Sequence, residues 1–183
     1  SGNEGLFNKP YASNLPSSLS GVSGNRYVFE APARLVTTLG NTSKTYGQVI
    51  DLSFLYSGSY TLTGAQSFGG AVVAGADPLS GVAPTVTVTS TGNTTTANVG
   101  SYAITASVDA TSQTALTNAG YVLAPVTGIL TVNKANLSAT GSMVYNNTTS
   151  FSGSYLTVNG VNGERFTASG SGTLSTKNVQ TNQ

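Results

Sequence analysis

Neither cysteine nor histidine occurs anywhere in this chain of 183 residues. Without cysteine there is no disulfide to staple a fold and no thiolate for catalysis or metal binding. Without histidine the commonest general base and metal ligand is missing too. Tryptophan is absent, which removes the usual flat platform for a sugar ring, and charged residues make up only 7% of the chain. Seven basic against six acidic residues leave a formal net charge of +1. That excludes the basic footprint by which proteins hold nucleic acid or anionic lipid. No apolar run approaches the length of a membrane span, and Ser1-Gly2-Asn3 does not open a signal peptide.

What fills the chain instead is Ser, Thr, Asn and Gly, 24, 27, 16 and 22 residues in turn, close to half of the whole. Disordered chains pair low hydrophobicity with high net charge, whereas 38% of this one is hydrophobic and arranged in alternating runs. The composition fits an extracellular or bacterial cell-surface β protein. The clearest stretch is Asn98-Val99-Gly100-Ser101-Tyr102-Ala103-Ile104-Thr105-Ala106-Ser107-Val108, which alternates from Ser101 on. On a strand, alternate side chains share a face, so Tyr102, Ile104, Ala106 and Val108 point one way and the small polar residues the other. Asn98 and Gly100 supply turn chemistry just before the alternation. The pattern predicts a half-buried antiparallel strand, with Tyr102 and Ile104 packed against Ile50, Leu52 or Phe54.

Residues 1–25, with Pro10, Pro16 and scattered Leu6, Phe7 and Tyr11, read as a linker or arm that lies on something else. Residues 26–30 form a short strand broken by Pro32, and residues 33–39 resume extended up to a turn at Gly40-Asn41. Ile50, Leu52, Phe54 and Tyr56 predict a strand with one apolar face, and Tyr60 and Leu62 another after a reversal at Gly58. Residues 67–76 are too rich in Gly and Ala to specify a strand well. Thr85, Thr87 and Thr89 alternate with Val86 and Val88, a β-branched strand with a hydroxyl solvent face. Residues 109–118 read as a polar connection, and no segment shows helical periodicity. Two further strands, residues 121–124 and 127–132, are expected to break at Pro125.

Residues 133–136 form a joint without Gly or Pro, so no hinge is built in. Four residues span at most about 14 Å, so two units on either side must sit end to end. Beyond it, strands are expected over residues 137–144, 151–158, 165–168 and 173–175. Asn146-Asn147, Asn159-Gly160, Asn162-Gly163 and Gly170-Ser171-Gly172 mark turns between them. Residues 177–183 carry too few apolar side chains to cover a core, so this second unit is expected to be incomplete.

Three phrases in order, Thr45-Tyr46-Gly47, Asn98-Val99-Gly100-Ser101-Tyr102-Ala103-Ile104-Thr105 and Gly128-Ile129-Leu130-Thr131-Val132-Asn133-Lys134-Ala135, resemble the MBG-type repeat of large bacterial surface and secreted adhesins. Tyr145-Asn146-Asn147-Thr148-Thr149, Gly163-Glu164 and Lys177-Asn178-Val179 resemble the start of a YDG-type repeat, with Asn146-Asn147 in place of the usual Asp-Gly and Gln180 in place of Gly. The lead-in from Arg26-Tyr27-Val28-Phe29 is similar to that of filamentous-haemagglutinin-like exoproteins of two-partner secretion. The resemblance implies an all-β chain of tandem Ig-like β-sandwich repeats, or a β-grasp variant, elongated. Its parts would be an arm over 1–25, an MBG-type repeat over 26–133 and a YDG-type repeat over 134–183. It implies a non-catalytic stalk or anchoring module. The partners would be neighbouring repeats of the parent adhesin and host or biofilm glycans or proteins, with no cofactor.

Candidate sites are few. The carboxylates Glu4, Glu30, Asp51, Asp77, Asp109 and Glu164 never cluster, so no calcium loop and no local catalytic pair is expected. Tyr56, Tyr60, Tyr102, Tyr121, Tyr145 and Tyr155 could stack on sugars, but on apolar strand faces they read as core. The Thr ladder at residues 85–89 is more simply a solvent face than an ice-binding one. Sequons at Asn41, Asn93, Asn136, Asn146 and Asn147 are no more than chance gives in so Ser- and Thr-rich a chain. An isopeptide staple at Lys44 or Lys134 would need a buried acid that no sequence feature places. The competing function is a carbohydrate- or matrix-binding β-sandwich whose end loops, residues 67–81 and 90–98, hold a glycan. An enzyme comes third, because the usual acid, base and nucleophile sets are missing.

Overall fold

The computed structural model describes residues 4–15, 26–57, 61–63, 67–68, 71–72 and 84–179. The chain is mostly β. Its strands in order are β1 (Glu4–Leu6), β2 (Arg26–Val28), β3 (Ala33–Thr38), β4 (Thr42–Thr45), β5 (Thr61–Thr63), β6 (Ser67–Phe68), β7 (Ala71–Val72), β8 (Val86–Thr89) and β9 (Gly100–Val108). Helix α1 (Ala110–Asn118) precedes β10 (Tyr121–Val126) and β11 (Gly128–Asn133). Then come β12 (Ser138–Gly141), β13 (Ser150–Ser152), β14 (Leu156–Asn159), β15 (Arg165–Thr167) and β16 (Ser171–Thr173).

The two larger sheets of the first part have the orders β10-β3-β5 and β4-β11-β9-β8, beside the two-stranded pairs β1-β2 and β6-β7. Their connection is unusual in its economy. Strand β10 runs parallel to β3 and β11 parallel to β4, both at the same offset of 88 residues. The two chain segments therefore leave one sheet and enter the other side by side. Strands that change sheets in this way form the corners of packed sheets. At the crossing Leu39 N donates to Val126 O at 3.1 Å and Ile129 N to Asn41 Oδ1 at 2.8 Å. Gly128 lies so close to the Gly40 carbonyl that no side chain fits there.

Strand β9 behaves as its alternation predicts, antiparallel to both β11 and β8. Ile104 is wholly buried with Leu39, Leu52, Leu55 and Leu130, and Tyr102, Ile50 and Val88 pack against that cluster. A second cluster joins Phe7, Ala33, Leu35, Leu116 and Tyr121. The N-terminal segment thus does lie on something, since Phe7 is buried and stacks on Phe29 at a centroid distance of 5.0 Å. Strands β1 and β2 pair in parallel to bring it there.

Several expectations are corrected. Residues 50–56 form no strand: Ser53–Leu55 is a 3-10 turn, so Leu52 and Leu55 are buried and Phe54 is 66% exposed. The Asp51 carboxylate receives Ser53 N at 2.8 Å and the Ser53 hydroxyl at 2.9 Å, which caps the turn and breaks the alternation. Residues 109–118, expected as a polar connection, hold helix α1 (Ala110–Asn118), a single α-helix among the described residues of a chain that is mostly strand, consistent with the all-β reading. The strand break falls at Thr127, and Pro125 sits within β10. That strand is at a sheet edge, where a missing N–H costs no ladder bond. Residues 58–60, the reversal at Gly58 among them, lie outside the described residues, as does most of 69–83.

In the last part the sheets are β12-β14-β15 and β13-β16. The expected strand over 151–158 is split by a 3-10 turn at Gly153–Tyr155, where the Ser152 hydroxyl accepts Ser154 N at 3.2 Å and Gly170 O accepts Gly153 N at 2.8 Å. The expected strand over 137–144 is shorter, Ser138–Gly141. Ser171–Thr173, expected partly as turn, is strand β16, with the reversal at Gly170 in the left-handed region at φ +94°. Among the described residues from 134 on, Gly153 is the one fully buried. The apolar residues there line an open groove of about 500 Å³ that includes Met143, Tyr145, Phe151, Leu156, Leu174 and Val179.

Candidate functional site

The Asp51 and Asp109 carboxylates are each bound to their own neighbourhood. Asp109 caps α1: its Oδ1 accepts Ser112 N and its Oδ2 the Ser112 hydroxyl, both at 2.9 Å. The Ser112 and Ser53 amides, first of all, hold Asp109 and Asp51 below the usual aspartate range. Glu30 is exposed, and Asp77 lies outside the described residues. Among the described residues no group of three metal-ligating side chains comes together.

The tyrosines divide. Tyr121 is buried, Tyr56 and Tyr102 are half-buried against the core, and the Tyr102 hydroxyl donates to Asn98 O at 2.9 Å. Tyr145 and Tyr155, expected in a core, are 56% and 47% exposed, because the last part closes no core around them. Tyr60 lies outside the described residues. Thr85, Thr87 and Thr89 face solvent, as their alternation predicts.

The densest polar constellation lies where the two parts of the chain meet. Lys44 on β4 is buried, 3% exposed, and its Nζ donates to Gln48 O at 2.8 Å and Thr94 O at 2.6 Å. These carbonyls belong to the turn at 46–48 and to the loop at 90–98. Among the described residues no carboxylate bonds to Lys44, so an isopeptide staple has no acid there. Gly47, in the left-handed region at φ +90°, donates to Thr95 O at 3.1 Å and ties the same two loops again. Lys134, by contrast, is exposed.

Onto this pair of loops comes the turn between β14 and β15. The Tyr46 hydroxyl donates to Glu164 Oε1 at 2.6 Å, and Asn162 Nδ2 donates to Thr95 O at 2.9 Å. Asn162 N donates to Glu164 Oε2 at 2.9 Å, so the turn is braced within itself. Val161 lies against the bare Cα of Gly47. The Tyr46 hydroxyl, then the Asn162 amide, holds the Glu164 carboxyl below its ordinary value, and the same bond pushes the Tyr46 phenol up. Sequence reasoning singled out Tyr46-Gly47 and Gly163-Glu164 as repeat phrases but could not see that they meet. Chain segments 118 residues apart leave no local signal of contact.

The loop at 90–98, assigned above to a possible glycan, is largely engaged elsewhere. Asn93 pairs with Ile50, Thr94 O with Lys44, and Thr95 O with Gly47 and Asn162. No family model, no curated protein and no solved structure matches this chain. No helix among the described residues is long and apolar enough to cross a membrane.

Proposed function

We propose that this chain is a non-catalytic stalk or anchoring segment of a large bacterial surface or secreted adhesin. It is made of tandem Ig-like β-sandwich repeats, an MBG-type unit over 26–133 and a YDG-type unit over 134–183. The observation that carries the reading is the joint. Asn133 O, at the end of β11, accepts Tyr46 N at 2.9 Å, and the next strand begins at Ser138. A connection this short, flanked by side chains that bond across it, suits a segment that transmits length and load. A clamp that closes on a ligand needs freedom at that point. The change of sheet shared by β3-β4 and β10-β11 supports sandwich-type packing of the first unit.

The alternative, a glycan-binding module using its end loops, is weakened by the bonds that occupy the 90–98 loop. Small-angle scattering tests the stalk reading. An elongated particle of one well-defined length is expected, and a near-spherical one would overturn it. On a glycan array no saturable binding is expected. Saturable binding lost on replacement of residues 94–96 would favour the alternative.

A further inference from the structure

A turn, a loop and one buried lysine converge at the joint in a way that repeat packing alone does not require. Lys44 holds the 46–48 turn and the 90–98 loop at a fixed spacing by giving one proton to a carbonyl of each. A buried ammonium group needs such acceptors, because unpaired charge away from water is costly. The two loops so fixed present three things outward: the Tyr46 hydroxyl, the Thr95 carbonyl and the side-chain-free surface of Gly47. Each is matched by one residue of the β14–β15 turn, namely Glu164, Asn162 and Val161. The matching is one of chemistry as well as place, donor to carboxylate, amide to carbonyl and apolar branch to bare backbone. A methyl group at Gly47 would collide with Val161.

We propose that Val161, Asn162 and Glu164 form an interdomain latch seated in a socket made by the 46–48 turn and the 90–98 loop, with Lys44 as the positioning residue that holds the socket in shape. The proposal rests on the stalk reading and deepens it. Stiffness is placed in a side-chain contact, so it can be lost while both units stay folded. A four-residue connection without Gly limits the distance between units but leaves their angle to be set by such a contact. Units joined with few contacts move relative to each other by default.

The absence of native cysteine makes the test direct. Exposed Thr87 and Thr157 are replaced by cysteine in the full chain and spin-labelled, and the distance distribution between them is read by dipolar spectroscopy. A narrow distribution is expected for the otherwise unchanged chain, and one broader by about twofold for the Asn162→Ala, Glu164→Ala double variant. Asn162 is exposed and Glu164 half-buried in a turn outside both core clusters, so folding is retained and circular dichroism verifies it. Lys44→Met should also broaden the distribution, whereas Ile104→Ala, a core residue that makes none of the side-chain bonds of the socket or latch, should lower stability and leave the width alone. An unchanged width in the double variant, or a broad one at the start, overturns the latch. Lys44→Met behaving as Ile104→Ala does overturns the positioning role. An unchanged width would leave the stalk reading standing, and saturable glycan binding would overturn that reading with the latch intact.

Discussion

Asn93 stands in for a β-strand opposite Ile50. Its side-chain Oδ1 accepts Ile50 N at 3.0 Å and its Nδ2 donates to Ile50 O at 2.7 Å, so one amide satisfies both backbone groups of a residue that belongs to no sheet. Asn93→Ala should therefore leave two partly buried backbone groups without partners. The expected cost is about 1–3 kcal/mol in denaturant unfolding, with faster amide exchange at Ile50. Retained protection at that amide would show that water or another side chain takes over.

The same segment shows how far the sequence could be read. Alternation gave β9 its faces correctly because every one of its residues is held in a ladder, 100–104 by β11 and 105–108 by β8, and nothing local competes. From Ile50 to Tyr56 the alternation was as regular, but Asp51 two residues before Ser53 offered a capped turn, and the turn won. Helix α1 was illegible for a different reason. Leu116 is its one large apolar residue, so no stripe recurs at helical spacing; the readable signals were Asp109 as a cap and Gly120, at φ +89°, as a stop. The latch lay beyond any local pattern, since it pairs segments distant along the chain.

Ile104 lies at the centre of the larger core cluster and is fully buried. Ile104→Ala should cost about 2–5 kcal/mol, the range for emptying a site whose walls are held by strand pairing. Chemical denaturation checks it, and a change within experimental error would mean that the cluster collapses onto the space without loss.

Two glycines should respond to the same change by different amounts and for different reasons. At Gly128 a Cβ would enter the Gly40 carbonyl, where both sheets hand over their strands, so Gly128→Ala should cost about 1–3 kcal/mol or more. At Gly163 nothing among the described residues lies within 4 Å of an added Cβ, and only its left-handed φ of +81° resists a side chain. Gly163→Ala should cost about 1 kcal/mol, the price of that conformation alone. Equal melting temperatures for the two variants would contradict the close approach of the crossing segments.

Thr37 is 1% exposed on β3, and its hydroxyl has no hydrogen-bond partner among the described residues. A buried hydroxyl without a partner loses its hydration and gains nothing in return. Thr37→Val keeps the shape and removes the polar atom, so stability should rise by about 1 kcal/mol. A fall on substitution would place an ordered water at that hydroxyl.

Stability against pH should form a plateau with two unlike edges. No histidine titrates in the neutral range, so the melting temperature should stay flat there. Asp51, Asp109 and Glu164 are all held below their ordinary values. A carboxylate with a depressed folded value contributes stability that is full above its unfolded value, about 4, and fades as pH falls through the depressed one. The acid edge should therefore combine the turn at Ser53, the cap of α1 and the latch. Tyr46 is displaced the other way, upward, by its bond to Glu164. Its contribution is full below the ordinary phenol value, about 10, and fades as pH rises through the raised one, so the alkaline edge draws on the latch without the cap or the turn. Tyr46→Phe separates the two: it should abolish the Tyr46 contribution in alkali and weaken the acid edge by the part of the Glu164 shift that Tyr46 causes, leaving the Asn162 part, Asp51 and Asp109. Distance distributions between labels at residues 87 and 157, recorded in parallel, should broaden at both edges in the parent chain. Broadening at neither edge, with melting lowered at both, would trace the pH dependence to groups outside the joint.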